Sequence, residues 1–523
     1  MSRWNSLSYP LTTRLVNTRF VAPLLVALIL ALAAGPLAAQ APDGASGAAG
    51  GPSMGREAAP AESDTDDGSA GTGQNDRTPL TVDEAVRRAI AESGDVRRAQ
   101  IELDQARADI DLARSERLPE ISGRVSGSYL FSPPEGEGIR RGELGTVPSP
   151  GELPTPVPET DIEIIPAAES TFYSISAQLE QVLFTWGKVS EGIEAAGHEE
   201  RATAAEVTGE RRDIASRTHE AYFSAVLARD TLEALREAEE TIQRIVEDRE
   251  EAFDAGTRTR EEVLEMRSQA AAVRRQRVSA EQGLDSALRA LGILIGADAG
   301  EHQLISSYRE TDDPRSEEAL LDAALEFSPD LDALRNRSRA AESALFIEER
   351  SNRLRYPDIA LLFDVEWSGQ GSPFRDNWAD RWDTDITLTI ASQFSIFDGG
   401  AQAARIRQAE GDLGRARLGL DDARDGIEVA VRRGYESARS AEAEYEQARA
   451  EYEYVAEQRR NAEVSFENDL ITREEMLMAR LQETFSGIER DAAAFNLERA
   501  ISELEALTGD ILDRARRPAP EIP

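Results

Sequence analysis

The sequence predicts a mainly α-helical chain carrying a small membrane β-barrel. Three observations predict it: a plan written twice, segments of about ten residues that alternate apolar and polar, and helical stretches far longer than a globular core needs.

The repeat is plainest at "FDAGTRTREEVLEMR" (253–267), which returns as "FENDLITREEMLMAR" (466–480), an offset of 466 − 253 = 213. The same register aligns "LFTWGK" (183–188) with "IFDGGA" (396–401), Ala221-Tyr222 with Gly434-Tyr435, and "LGILIG" (291–296) with "LEALTG" (504–509). Upstream, with small shifts, "VDEAVRRAIAESGDV" answers to "SEEALLDAALEFSPDL", and "RLPEIS" (117–122) to "RYPDIA" (355–360). Self-similarity of this kind predicts one structural unit made twice, over 79–300 and 301–512, with a flexible tail over 513–523.

Before the repeats, Arg3, Arg14 and Arg19 precede "FVAPLLVALILALAAGPLA" and small residues, the pattern of a secretory signal peptide over 1–39. Residues 40–78, rich in Gly, Ala, Ser and Asp, predict a disordered linker. There is no cysteine, which excludes disulfides, thiolate-held metals and a lipidated N-terminal cysteine. A formal charge of −39 argues against a nucleic-acid partner, because phosphates would be repelled. No apolar run after the leader is long enough for a membrane helix, so any membrane crossing must use strands.

Each repeat reads as helix, strand pair, very long helix, tight turn and returning helix. Leu232, Leu235, Ala238, Ile242 and Ile245 form an apolar seam at helical spacing. In the strand segments, Ile121, Val125, Tyr129 and Phe131 alternate with Ser122, Arg124, Ser126 and Ser128; "STFYSISAQLE", "IALLFDVEWS" and "DITLTIASQFSI" behave alike. Segments of this length cross a bilayer as tilted strands. Aromatics gather at their ends: Tyr129, Phe131, Phe172, Tyr173, Trp367, Trp378 and Trp382 toward the loops, Phe184, Trp186 and Phe397 toward the helices. Two such girdles mark the two faces of a membrane.

Four strands cannot close a barrel, and an open edge in lipid leaves backbone groups unpaired at a cost of several kcal/mol each. Other chains must complete it, and strand count alone allows two or three. The long helix expected from Lys188 to about Asp254 spans about 100 Å, while those expected over 260–296 and 95–117 span roughly 55 and 35 Å. The two shorter helices therefore stack end to end beside the long one. The second repeat restates this with 401–468, 473–508 and 330–356.

From about Leu80 to Gly509 the chain resembles the TolC-like outer-membrane efflux family. The resemblance rests on "LTVDEAVRRAIAESGDVRRAQ", the "RLPEIS" lead-in to the first strand, the "FDGG" exit from the last, and "AGTRTREEVLEMR". It implies a homotrimer with a twelve-strand outer-membrane barrel and an α-helical barrel in the periplasm. It further implies coupling through a periplasmic adaptor (membrane fusion) protein to an inner-membrane pump of RND, ABC or MFS type.

By the same resemblance the turns Ala255, Gly256, Thr257 and Asn468, Asp469, Leu470 face the adaptor, and Glu262, Glu265 and Glu475 form acidic rings at the pore constriction. Arg258 matches a latch arginine, with Glu474 or Glu475 as its acid and Phe253 where the family has a tyrosine. No enzyme and no cofactor is expected: His198, His219 and His302 have neither metal-ligand nor triad spacing. The rival expectation is a soluble periplasmic coiled-coil scaffold or adaptor protein without a pore, which leaves the duplicated strands and aromatic girdles unexplained.

Overall fold

A computed structural model of the chain describes residues 78–133, 137–139, 162–165, 169–305, 308, 315–351, 354–371 and 382–516. The expected signal peptide, nearly all of the linker, most of the loop over 132–169 and Trp378 lie outside these residues.

The repeat is conserved in conformation as well as in letters. Helices α1 (Val82–Glu92) and α2 (Gly94–Ser115) lead to strands β2 (Glu120–Tyr129) and β5 (Thr171–Phe184), then to α3 (Lys188–Asp254) and α4 (Arg260–Ile295). The second copy supplies α5 (Glu317–Phe327), α6 (Pro329–Glu349), β7 (Ile359–Gln370), β8 (Trp382–Ala391), α7 (Ala401–Glu467) and α8 (Arg473–Thr508). Helices α3 and α7 both have 67 residues, and α4 and α8 both have 36. Every positive φ in the first copy's helical half recurs 213 residues on: Trp186 with Gly399, Gly187 with Gly400, Gly256 with Asp469, and Gly296 with Gly509. Short elements complete the chain: β1 (Thr78–Leu80) pairs in parallel with β6 (His302–Leu304) of the second copy, β3 (Glu137–Ile139) pairs with β4 (Ile162–Ile165) between β2 and β5, and α9 (Asp510–Arg516) ends the described chain.

Helix stacking follows the length argument. On the sheet side α3 packs between α2 and α6, and α6 packs on α7; on the far side α3 packs between α4 and α8, and α8 packs on α7. Thus α2 and α4 share one edge stave, and α6 and α8 share the stave between the two long helices. The expected seam on α3 is buried, and its Ala238, Ile242 and Ile245 meet Met266 and Val273 of α4 and Leu477 and Leu481 of α8.

Each repeat also builds a core where its short helices meet. Leu80, Tyr222, Phe223, Leu291 and Leu304 form one, and Leu320, Val431, Leu497, Ile501 and Leu504 the other. The Tyr222 hydroxyl donates to the Leu80 carbonyl (2.6 Å) and accepts from the Ile305 N–H (2.8 Å); burial pushes its phenol up to about 12.

The four membrane-type strands form one antiparallel sheet in the order β2-β5-β7-β8. Its register confirms the alternation. Ile121, Leu179, Phe363 and Leu388 share one row, and Val125, Ile175 and Trp367 another, on the same face. The opposite face carries Ser122, Gln178, Asp364 and Thr387 in one row and Arg124, Ser176, Glu366 and Asp385 in the next. Among the described residues, the outer edges of β2 and β8 have no strand partner.

Three expectations need correcting. Phe172 falls in the row of Ser128 and Gln370 on the polar face, so it is not part of the apolar girdle; the period of two sends Tyr173 outward and its neighbour inward. Helix α6 stops at Glu349 rather than 356, where the Arg350 guanidinium folds over the Phe346 ring ahead of Pro357. The tail expected from 513 is helical through Arg516, because Ile511, Leu512 and Ala515 make an apolar face buried against Val86 and Ala215.

Candidate functional site

The hairpin turns at the far end of the helices hold most of the residues singled out in the sequence. Both long helices end in a Schellman motif. Thr257 N–H reaches back to the Ala252 carbonyl and Gly256 N–H to that of Phe253; Leu470 and Asp469 do the same with Ser465 and Phe466. The C′ position needs positive φ, which Gly256 supplies at +77° and Asp469 at +58°. Aspartate enters that region more readily than most side chains, so the second copy can omit glycine. A Cβ on Gly256 would meet nothing within 4 Å, so the turn needs glycine for its backbone angle and not for space.

The returning helices begin with matched capping boxes. Thr259 accepts from the Glu262 N–H while the Glu262 carboxylate accepts from the Thr259 N–H (2.8 Å), and Thr472 and Glu475 repeat the pair. Two of the three acids expected at the constriction therefore fold back on their own helix ends. The Thr259 N–H, and after it Arg258, hold the Glu262 carboxyl below the usual range; the Thr472 N–H does so for Glu475. Because these pKa values are depressed in the fold, the caps are complete above the ordinary glutamate range and are lost as pH falls through the lowered value. Glu265 is exposed one turn further along α4.

Arg258 lies within reach of two acids, Glu262 (3.0 Å) and Glu474 (3.3 Å), both in its own chain. Glu475 is occupied by its cap and pairs with no arginine among the described residues. The centre of the arrangement is Arg249, which no motif in the sequence singles out. Its guanidinium grips Glu474 through Nε (2.9 Å) and Nη2 (2.5 Å) and donates to the Glu262 carbonyl (3.0 Å). With side chains 13 % and 19 % exposed, this pair is screened far less than Arg258, which is 40 % exposed. Arg249 sits five residues before the end of α3 among many surface arginines, so its letter carries no distinguishing signal; only the packing of α3 on α8 does. Phe253 lies half-exposed beside the turn and lends its carbonyl to Gly256.

The membrane-interface residues divide by position. Tyr173 stacks on Trp382 at 6.3 Å, and the Trp382 ring lies across Gly369, where a Cβ would come within 2.9 Å. Tyr129 and Phe131 meet edge to face at the loop end of β2. At the helix end Trp186 contacts Phe184 and Tyr356 and donates to the Pro357 carbonyl (2.9 Å), while Phe397 is exposed. Tyr356 is an addition to the expected set. Lys188, the only lysine in the chain, opens α3 there and pairs with Asp358 at 2.7 Å.

Among the described residues no group of His, Asp or Glu could hold a metal ion, and no helix is long and apolar enough to cross a membrane.

Comparisons with known proteins agree with this geometry. The model of the family described as outer membrane efflux protein matches residues 85–297, the first repeat. The alkaline protease secretion protein AprF of Pseudomonas aeruginosa is 27 % identical over 219 residues, which are 40 % of this chain and 44 % of AprF. The match thus spans less than half of that relative. Among solved structures, the Campylobacter jejuni CmeC outer membrane channel superposes with a TM-score of 0.64 at 16 % identity, over 83 % of this chain and 89 % of that one. The Vibrio cholerae outer membrane protein VceC gives 0.56 at 18 % identity over 83 % and 94 %.

Proposed function

We propose, for a chain whose first repeat belongs to the outer membrane efflux protein family and whose described length has the TolC-like channel fold, that it forms the exit duct of a tripartite efflux or type I secretion system. In this reading the protein is a homotrimer in the cell outer membrane with its helices in the periplasm. It catalyses nothing; an inner-membrane pump and a periplasmic adaptor deliver the cargo.

The observation that carries the reading is the four-strand sheet: one apolar face, one charged face and, on opposite sides, the edges of β2 and β8, which have no strand partner among the described residues. In lipid those edges must be paired, and the β8 edge of one chain meeting the β2 edge of the next is a head-to-tail contact that closes by rotation. Three copies give twelve strands and twelve helical staves, consistent with the aromatic rows at the two ends. The similarity to AprF supports including polypeptides among the cargo.

Extraction decides between this and a soluble scaffold. The protein is expected in detergent extracts of the outer membrane as a heat-resistant trimer that conducts in planar bilayers. A monomer recovered in the soluble periplasmic fraction overturns the proposal.

The hairpin turns are the surfaces offered to the adaptor, and Arg249 and Arg258 with Glu474 are the latch between the two hairpins of one chain. Glu262, Glu265 and Glu475, each repeated threefold, form acidic rings that favour cations. Glu475→Gln isolates that role, because glutamine also closes a capping box. Cation selectivity, read as the reversal potential in a salt gradient, should fall while the thermal transition stays in place. An unchanged reversal potential removes Glu475 from the constriction.

A further inference from the structure

The two repeats create two kinds of seam near the tips. One lies inside the chain, where α3 packs on α8. If the trimer proposed above is correct, its counterpart, 213 residues displaced, lies between chains, where α7 meets the neighbour's α4. We propose that these seams are not equivalent: the seam inside the chain is latched by ion pairs, and the tube opens by parting between chains, each chain's two hairpins moving as one body.

Four ion pairs cross the in-chain seam in its tip half: Arg258, whose repeat counterpart is the uncharged Ile471, reaches Glu474 (3.3 Å) from the turn, and three more pairs join α3 to α8. Arg249 holds Glu474, Arg473 reaches Asp248 (3.2 Å) and Arg480 reaches Glu237 (3.0 Å). Adding 213 to the long-helix partners gives the groups offered at the seam between chains. Arg249 becomes Ala462, Asp248 becomes Asn461 and Glu237 becomes Ala450. All three lose their charge. The partners on the returning helix are kept: Glu474, Arg473 and Arg480 correspond to Glu261, Arg260 and Arg267. The loss is thus confined to one side of one seam, and it removes every counterpart of the in-chain pairs there.

The same asymmetry recurs at the sheet end. Lys188, which opens α3 and pairs with Asp358 at the start of β7, corresponds to Ala401 at the start of α7. Exposed pairs are individually weak and the less exposed Arg249–Glu474 pair is stronger, so the sum favours separation at the unlatched seam.

Because the chain has no cysteine, paired substitutions can be bridged specifically with a bis-maleimide. Glu237→Cys with Arg480→Cys bridges the in-chain seam; Ala450→Cys with Arg267→Cys bridges its counterpart between chains. In planar bilayers the between-chain bridge is expected to abolish the high-conductance state, and the in-chain bridge to leave it. Loss of that state on in-chain bridging, or its survival after between-chain bridging, overturns the inference. The trimer is tested separately on a denaturing gel. The between-chain pair must give covalent trimers, and a product that stays monomeric overturns the trimer reading and the inference together. Ala462→Arg provides a second variant. It restores the missing cation opposite the neighbour's Glu261 and should lower open-state occupancy about fivefold, the ratio that ~1 kcal/mol corresponds to. Adding Glu261→Gln should reverse that loss; persistence of the loss in the double variant counts against the pairing.

Discussion

Leu388→Arg should remove the protein from the outer membrane, while Thr387→Arg, one residue away, should leave it assembled. The register makes the difference. Leu388 is 67 % exposed and lies in the row of Ile121, Leu179 and Phe363 on the apolar face, whereas Thr387 faces the other way beside Asp364. Along β5 the aromatics that bound the apolar band are Tyr173 and Phe184, and the Leu388 row falls midway between them. Eleven residues at about 3.3 Å, tilted by roughly 40°, rise about 28 Å, close to the ~25 Å band of an outer-membrane barrel. Leu388 thus lies near the bilayer midplane, where an arginine costs about 2–4 kcal/mol, incurred once per chain and so about three times in the trimer. Thr387→Arg instead puts a cation opposite an acid on the charged face. The readout is the yield of heat-resistant trimer in outer-membrane extracts. Equal yields from the two variants would mean that neither face meets lipid.

That contrast also indicates how far the sequence could be read. The alternation of "DITLTIASQFSI" and its three companions was enough to assign faces, because a period of two leaves no ambiguity once the strand is granted. The one girdle residue misplaced, Phe172, adjoins Tyr173, and composition cannot tell which of two adjacent aromatics points outward; only the pairing of Phe172 with Gln370 and Ser128 does. Helix lengths were legible because the repeat offset is free of gaps from 183 to 509, so each boundary was written twice. The helices before the strands are less alike in sequence, and there the expected end of α6 overshot.

At the tip the turn chemistry was readable from Gly256, Thr259 and Thr472, each of which has a local reason to be what it is. Arg249 was not, because its role depends on where α8 lies. The acids show the same division. Glu262 and Glu475 read as acids open to a pore, but their place three residues after a threonine already signals a capping box. A local task therefore competes with any role in the pore, and in the chain as folded the local task is satisfied.

The largest effect on stability is expected at Gly509, and two other glycines that end long helices, its repeat equivalent Gly296 and the tip glycine Gly256, grade the prediction. Gly509, Gly296 and Gly256 all end long helices at positive φ, so replacing any of them by alanine incurs the left-handed penalty of about 1 kcal/mol. Their surroundings differ. A Cβ on Gly256 meets open space, and one on Gly296 comes 3.0 Å from Cγ of the Glu92 side chain, which can swing away. On Gly509 it would lie 2.6 Å from Cγ and Cε2 of the Phe327 ring, which packs against the Ile511 and Leu512 cluster and cannot yield without moving α9. Overpacking a filled core adds roughly 1–3 kcal/mol, which brings Gly509→Ala to about 2–4 kcal/mol. The transition temperature of the purified protein should fall most for Gly509→Ala, less for Gly296→Ala and least for Gly256→Ala, where Asp469 already shows that a side chain fits. If Gly256→Ala proved the most damaging, the turn would be contributing contacts beyond its own chain. If all three fell equally, backbone angle alone would set the cost and the Phe327 contact would be slack.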